Sequence, residues 1–387
     1  MNADEPAVEP CMWLVAPLPG DVRRSLDRLA RAPGVRHLAV MPDVHLSREV
    51  CVGVALGTDG LAYPAAVGGD IGCGMAALRC TGSAAALADP HAAAEILRRL
   101  RQAVPALKRR GAATGELAGD PPDPGLLSAA VLERTARRDG VWQLGTLGRG
   151  NHFLELQADQ AGALWIMVHS GSRGIGAAIA AWHRRAADRP AAGTSTAAEL
   201  GALDVATAAG RDYLADVGWA RAWARANRAQ IVGATVEVLR AVCGVDADWA
   251  TLVDCDHNHV REERHAERNL LVHRKGALPA TAGEPGLVPG SMGTASFHTV
   301  GRGCPAALAS SSHGAGRALP RGEAAQRIDA RRIVREMHGV WFDTRRAGLL
   351  RDEAPSAYKD IRAVMRVQRE LTAIERELRP LLSYKAV

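Results

Sequence analysis

Pro64-Ala-Ala-Val-Gly-Gly-Asp-Ile-Gly-Cys-Gly-Met75 sets four glycines, one carboxylate and one thiol within twelve positions. Asp70 and Cys73 stand three apart. A lone cysteine most often packs as a small buried hydrophobe. Here the glycines let the backbone fold tightly enough for a carboxylate and a thiolate to meet on one ion. Outward from this turn, residues 35–79 read as short β-rich runs (HLAVM, VCVGVAL, AAVGGDIGCGMAALR) punctuated by Gly, Pro and Asp, with no helical period. That pattern predicts a compact β module carrying functional turns.

Further segments repeat the association of a glycine turn with ligand-type side chains. They are Met41-Pro-Asp-Val-His45, Gly145-Thr-Leu-Gly-Arg-Gly-Asn-His-Phe-Leu-Glu155, His169-Ser-Gly-Ser-Arg-Gly174, Asp256-His-Asn-His259 and Ser310-Ser-Ser-His-Gly-Ala-Gly-Arg317. Taken singly, each histidine is more often a satisfied structural residue than a ligand. Together they predict a mixed Asp/Cys/His metal site, whose one thiolate, imidazoles and carboxylate suit Mn²⁺, Zn²⁺ or Fe²⁺. In the last segment, backbone amides at Gly314, Ala315 and Gly316 form a candidate anion nest with Arg317 as a bidentate phosphate partner. His313 in that nest is the candidate for phosphoryl or nucleotidyl chemistry. Pro289-Gly-Ser-Met-Gly-Thr-Ala-Ser296 adds hydroxyls at Ser291 and Ser296.

The 387 residues, 47% hydrophobic and 23% charged, fit a globular protein of two domains or one large α/β domain and exclude wholesale disorder, collagen and coiled coil. No run approaches the ~18 apolar residues of a membrane helix. The acidic start lacks a signal peptide's basic and apolar regions, so a cytoplasmic protein is expected. Seven cysteines without a C-x-x-C pair point to reduced thiols. The net charge of +6 comes from 48 basic residues, of which only Lys108, Lys275, Lys359 and Lys385 are lysines. It permits nucleic-acid binding without implying it. Helical spacing is expected over 91–110, over 204–243, and along a face of Ile361, Val364, Met365, Leu371, Ile374 and Leu378. Residues 186–202 are poor in large apolar residues and read as a flexible insertion.

Nine motifs in order, MPDVH (41–45), PAAVGGDIGCGM (64–75), LGTLGRGNHFLE (144–155), MVHSGSRGIG (167–176), DHN (256–258), HRKGA (273–277), PGSMGTASF (289–297), SHGAGR (312–317) and DEAPSAYKDI (352–361), make the chain resemble the RtcB family of GTP-dependent RNA ligases over nearly its whole length. The resemblance implies a mixed α/β (α+β) fold in one large domain, 1–387, with a two-metal centre and a helical insertion at about 186–245. It is not a doubly wound fold. Carried over by position, Cys73 bridges two Mn²⁺ ions, and Asp70, His152, His169 and His257 complete their shells. His313 matches the nucleophile that becomes guanylylated. Asn151 and Arg317 match phosphate-contacting positions, and Glu155, Ser291, Ser296, Tyr358 and Lys385 match positions around the nucleotide and its guanine.

The implied activity joins RNA 3′-phosphate or 2′,3′-cyclic phosphate ends to 5′-hydroxyl ends through a histidine–GMP and an RNA-(3′)pp(5′)G intermediate. GTP is the cosubstrate, RNA the partner, and an archease-type activator a further partner in some members. Competing readings are a paralogue that caps or repairs RNA or DNA 3′-phosphate ends, a metal-dependent cyclic-phosphate phosphohydrolase, and a GTP- or RNA-binding module. The chain departs from the family pattern at Leu46-Ser47-Arg48-Glu49, where L-G-K-G is usual, at Arg149, and at Lys385-Ala-Val387.

Overall fold

The computed structural model describes residues 7–109, 120–188 and 200–386. Seven antiparallel strands form the larger sheet, in the order Pro285–Val288, Ser296–Gly301, Thr372–Tyr384, Phe153–Asp159, Ala163–Ser170, Gly74–Ser83 and Ala247–Asp256. The second sheet has five strands, Cys11–Met12, Val35–His45, Val52–Thr58, Arg268–Lys275 and Asn258–His265, of which only the first pair is parallel. This is a mixed α/β architecture in one large domain, without the all-parallel sheet of a doubly wound fold. The strand Ala247–Asp256 ends in the larger sheet, and Asn258–His265 begins in the smaller one. His257 is the single residue between them.

Register explains why distant motifs meet. Phe153 and Met75 both lie opposite His169, while Gly74 lies opposite Ser170 and Asp256. Neighbouring strands run in opposite directions, so the start of one lies beside the end of the next. His152, His169, Cys73 and His257 are therefore delivered to one edge of the larger sheet.

The helix Ala208–Cys243 begins at Thr207, whose hydroxyl accepts from Gly210 N at 3.2 Å, and stops at Gly244 in the left-handed conformation (φ 66°). It is apolar on several faces because it is covered on several faces. Ile231, Val232 and Val236 join the core beneath the larger sheet with Leu154, Leu156 and Ile166. Tyr213, Trp219 and Trp223 join a second core with Ile175 and Ile179 of the helix Arg173–Ala187. Of the segment expected at about 186–245, residues 189–199 lie outside the described residues. The helix Pro90–Ala103, shorter than the 91–110 span, is capped by Asp89, whose carboxylate accepts from His91 N and Ala92 N.

One expectation is overturned. The face of apolar residues from Ile361 to Leu378 is not one helix: the helix covers Ile361–Val367, and Thr372–Tyr384 is a central strand of the larger sheet. The apparent period ran across two elements. Pro380 cannot sit inside a helix, and here it marks a register shift in the strand, where a missing N–H is tolerated.

Because the long helix contributes to both cores, Ile231→Ala and Trp223→Ala should each destabilise the whole molecule by about 2–5 kcal/mol. Each should shift a single cooperative transition in chemical denaturation. Two separable transitions would contradict the one-domain architecture.

Candidate active site

The turn 64–75 folds as its glycines require. Asp70 lies so close to Gly171 that a Cβ there would run into the carboxylate, which couples the turn to the loop after His169. Cys73 Sγ stands 3.4 Å from His152 Nε2 and 3.2 Å from His169 Nε2. His169 Nε2 is 3.4 Å from His257 Nε2, and Asp70 Oδ2 is 2.9 Å from His152 Nε2. Cys73, His169 and His257 form one potential donor group, and Asp70, Cys73 and His152 another, each with its donor atoms within 4.8 Å of one another. Cys73 is common to both.

The outer ring nitrogens are held by the backbone of the His152 loop. His152 Nδ1 donates to the Leu147 carbonyl at 2.9 Å and His169 Nδ1 to the Asn151 carbonyl at 3.2 Å. His169 Nε2 thus faces the Cys73 sulfur as a lone pair, while His152 Nε2 stands between that sulfur and the Asp70 carboxylate. Burial, and then neighbouring His152 and His313, holds His169 well below the ordinary imidazole range. Burial followed by His313 and His169 does the same to His257. Burial and the adjacent Asp70 push the Cys73 thiol well above its ordinary value. Burial alone would raise Asp70, but the charge and hydrogen bond of His152 outweigh it and bring the carboxyl to about 2. Imidazoles converging with a thiol and a carboxylate are a donor set that a divalent cation fits.

Beside this cluster, His313 follows the short strand Ser310–Ser312. Its Nδ1 donates to Asp43 Oδ2 at 2.6 Å, and its backbone N–H to the same oxygen at 3.2 Å. Nε2 is the ring nitrogen left outside this pair, and the ring lies 4.7 Å from that of His257. Gly316 has φ 71°, and a side chain there would collide with Asp43. Lys359 holds the carbonyls of Pro42 and Val44 at 3.0 and 2.7 Å, fixing the Asp43 turn from behind. This orienting role of the fully buried Asp43 was missed in the sequence, although the MPDVH spacing could have raised it. His45 also lines the cavity. Burial brings it to about 4, and its Nδ1 donates to the Asp43 carbonyl at 2.9 Å.

A cavity of about 940 Å³ joins these groups to the expected nucleotide residues. Asn151, Glu155, Ser291, Tyr358 and Lys385 are on its wall, as are Gly314, Ala315, Gly316 and Arg317. Ser296 is not: it lies buried behind Glu155, accepting from Gln157 Nε2 at 3.1 Å, while Gln157 also donates to Glu155 at 2.8 Å. Burial raises the Glu155 carboxyl to about 7, against the hydrogen bond from Gln157 and the charge of Lys385. Arg317 turns onto Glu353 at 3.3 Å and the Tyr358 hydroxyl at 3.2 Å, so several of its donors are already engaged within the protein. Lys385 and Tyr358 bond the same buried Glu353 at 2.6 and 2.7 Å. His259, the second imidazole of the Asp256–His259 segment, stays outside the cluster between Asp256 and Arg274.

Arg173 lies in the 169–174 segment singled out above, but its contact with His152 was not foreseen. It adopts φ 57°, uncommon for a non-glycine, and its guanidinium lies 3.2 Å from His152 Nδ1 and donates to the Ala106 carbonyl. In the divergent 46–49 turn, Ser47 lines the cavity and Glu49 pairs with Arg184. Among the described residues no helix is long and apolar enough to cross a membrane.

A family model described as tRNA-splicing ligase RtcB matches residues 25–121 and 114–386. RNA-splicing ligase RtcB1 from Escherichia coli strain ATCC 25922 is 37% identical, across 97% of this chain and 96% of its own. RNA-splicing ligase RtcB from E. coli K12 is 36% identical over the same shares. That of Mycobacterium tuberculosis is 32% identical across 87% of this chain and 94% of its own.

Because Cys73 belongs to both donor groups, Cys73→Ser should abolish high-affinity uptake of two divalent ions, whereas Asp70→Ala and His257→Ala should each remove one. Equilibrium dialysis with Mn²⁺ checks the stoichiometries.

Proposed function

From the premise that the chain belongs to the RtcB family and is an RNA ligase, we propose that it joins RNA 3′-phosphate or 2′,3′-cyclic phosphate ends to 5′-hydroxyl ends with GTP as cosubstrate and His313 as the guanylylated nucleophile. The observation that carries this reading is the His313–Asp43 pair beside the Cys73 cluster. A carboxylate on Nδ1 leaves Nε2 as the attacking atom and stabilises the positive charge that develops on the ring.

His313 Nε2 attacks the α-phosphorus of GTP, the N–P bond forms, and the bond to the pyrophosphate oxygen breaks. The Nδ1 proton stays on Asp43's hydrogen bond throughout. An oxygen of the RNA 3′-phosphate then attacks the same phosphorus, the N–P bond breaks, and the electron pair returns to Nε2. When a 5′-hydroxyl oxygen attacks the RNA phosphorus of the resulting 3′-diphosphate end, the O–P bond forms, the bond to the GMP oxygen breaks, and the hydroxyl proton leaves to water as GMP departs. A cyclic phosphate is first hydrolysed to the 3′-phosphate at the same centre. Asp70, Cys73, His152, His169 and His257 would hold two Mn²⁺ ions, which supply charge neutralisation at the phosphates when bound.

Glu155 with Ser296 behind it is proposed for the guanine edge, and Lys385 with Tyr358 for the same end of the cavity. Asn151, Ser291 and the Gly314-Ala315-Gly316 amides are proposed for the phosphates. An archease-type activator remains part of the proposal as a partner for multiple turnover.

Intact-mass measurement after incubation with GTP and Mn²⁺ should show an acid-labile GMP adduct on the wild type and none on His313→Ala. An adduct on the variant would refute the assignment. Asp43→Asn should slow adduct formation by roughly 10²–10⁴-fold, since the ring loses its anionic acceptor and the amide NH2 can favour the wrong tautomer.

Guanine N–H groups need an ionised carboxylate. With Glu155 at about 7, GTP affinity should therefore rise as pH increases through that value and fall by up to about tenfold per unit below it. Glu155→Gln should flatten the profile, as read by calorimetric titration.

A further inference from the structure

The helix Ala208–Cys243 reaches every chain segment that carries one of the candidate metal donors, through side chains that are not donors themselves. Asn227 is fully buried. Its Oδ1 accepts from Gly145 N at 2.7 Å and Thr146 N at 3.2 Å, in the loop that leads to His152. Its Nδ2 donates to the Thr146 carbonyl at 3.2 Å, to Ser170 Oγ at 3.0 Å and to the Gly171 carbonyl at 3.3 Å. The last two groups directly follow His169.

The next residue, Arg228, is 1% exposed. Its Nη1 donates to the Gly72 carbonyl at 2.8 Å and the Ser170 carbonyl at 3.1 Å, beside Cys73 and His169 respectively. Its Nε and Nη2 each hold Asp254 at 2.7 Å, three residues before His257. Arg221, earlier on the same helix face, forks the carboxylate of Asp256, the neighbour of His257.

The donors themselves lie at loop and strand ends, where sheet pairing sets the register of each strand but the adjoining turns need further ties. A guanidinium presents its N–H groups in a rigid fork, so it fixes the relative placement of all its acceptors at once. A buried charge is retained only when such partners satisfy it. Asn227 supplies what Arg228 does not, an acceptor for the two amides of the His152 loop. Between them, the two consecutive residues bind the segments of Cys73, His152, His169 and His257 to one rigid element.

We propose that Asn227 and Arg228 are positioning residues that set the mutual spacing of the metal donors and thereby the affinity of the centre for divalent cations. The inference rests on the reading of the Cys73 cluster as a metal centre.

The test is equilibrium dialysis of Mn²⁺ against full-length wild type, Asn227→Ala, Arg228→Lys and Asp216→Asn, with chemical denaturation of each metal-free protein. Arg228→Lys keeps a positive charge opposite Asp254 but loses the fork, so it carries the test should Asn227→Ala not fold. Asp216 is the control for general destabilisation. It is on the same helix and fully buried, yet among the described residues it bonds Ser128 and His183, outside the ligand-bearing segments.

Asn227→Ala and Arg228→Lys should weaken Mn²⁺ binding by about 10–100-fold, the usual effect of removing a group that orients metal ligands. Asp216→Asn should lose stability while binding Mn²⁺ as the wild type does. Unchanged Mn²⁺ affinity in a folded Asn227→Ala or Arg228→Lys protein, or an equal loss in Asp216→Asn, would overturn the positioning role while leaving the metal reading intact. A wild-type protein that takes up no Mn²⁺ would overturn both.

Discussion

Around the sulfur of Cys73, two imidazole nitrogens converge from two other parts of the chain, beside the carboxylate of Asp70 from its own turn. Such a convergence is unfavourable in an otherwise apolar interior unless each group is held where repulsion and desolvation are offset. The antiparallel order of the larger sheet brings the four ligand-bearing strand ends to one edge. The glycines of the 64–75 turn give the backbone room to bring Asp70 in as well. The small sheet then approaches that edge through His257 and, by way of Gly276 and the strand Ser310–Ser312, through His313.

The cavity also shows how two buried carboxylates of similar surroundings acquire different properties. Glu353 is surrounded by Lys385, Arg321, Arg317 and the Tyr358 hydroxyl. Burial would raise it, but those cations keep it below the usual carboxylate range. Among the described residues the hydrogen-bond partners of Glu155, Gln157 and Ser383, are neutral, and burial prevails over them and the charge of Lys385. The first carboxylate ties the basic side chains of the cavity wall together. The second retains the capacity to change its state when a ligand with its own donors arrives.

Much of this site was legible in the sequence because turns that bear ligands have a strong local signature. Glycine spacing around Asp70, Cys73 and His313 marks places where the backbone must bend or let another group approach, and the residues beside them are the ones brought together. What stayed hidden was whatever depends on contacts distant in sequence. Asn227 and Arg228 look like ordinary polar positions on a long helix, and only its packing on two cores reveals that they face inward. Asp43 was visible as a turn residue but not as the partner of His313. The segment after Val367 misled because apolar residues happened to keep a helical period across a helix and a strand. Pro380 carried the corrective signal, and pairing with two neighbouring strands decided the outcome.

The hydrogen bond that orients His313 joins residues 270 positions apart, and the one from Asn258 to the Asp70 carbonyl spans 188. Contacts of this range form late, because closing so much chain costs entropy before any local structure rewards it. During synthesis, the Asp70–Cys73 turn emerges long before the residues that complete its surroundings. A nascent chain therefore carries an incomplete set of thiol and carboxylate groups, with no oriented nucleophile beside them. The Asp43–His313 pair and the ring of groups around Cys73 are therefore complete only once residues up to His313 have been added.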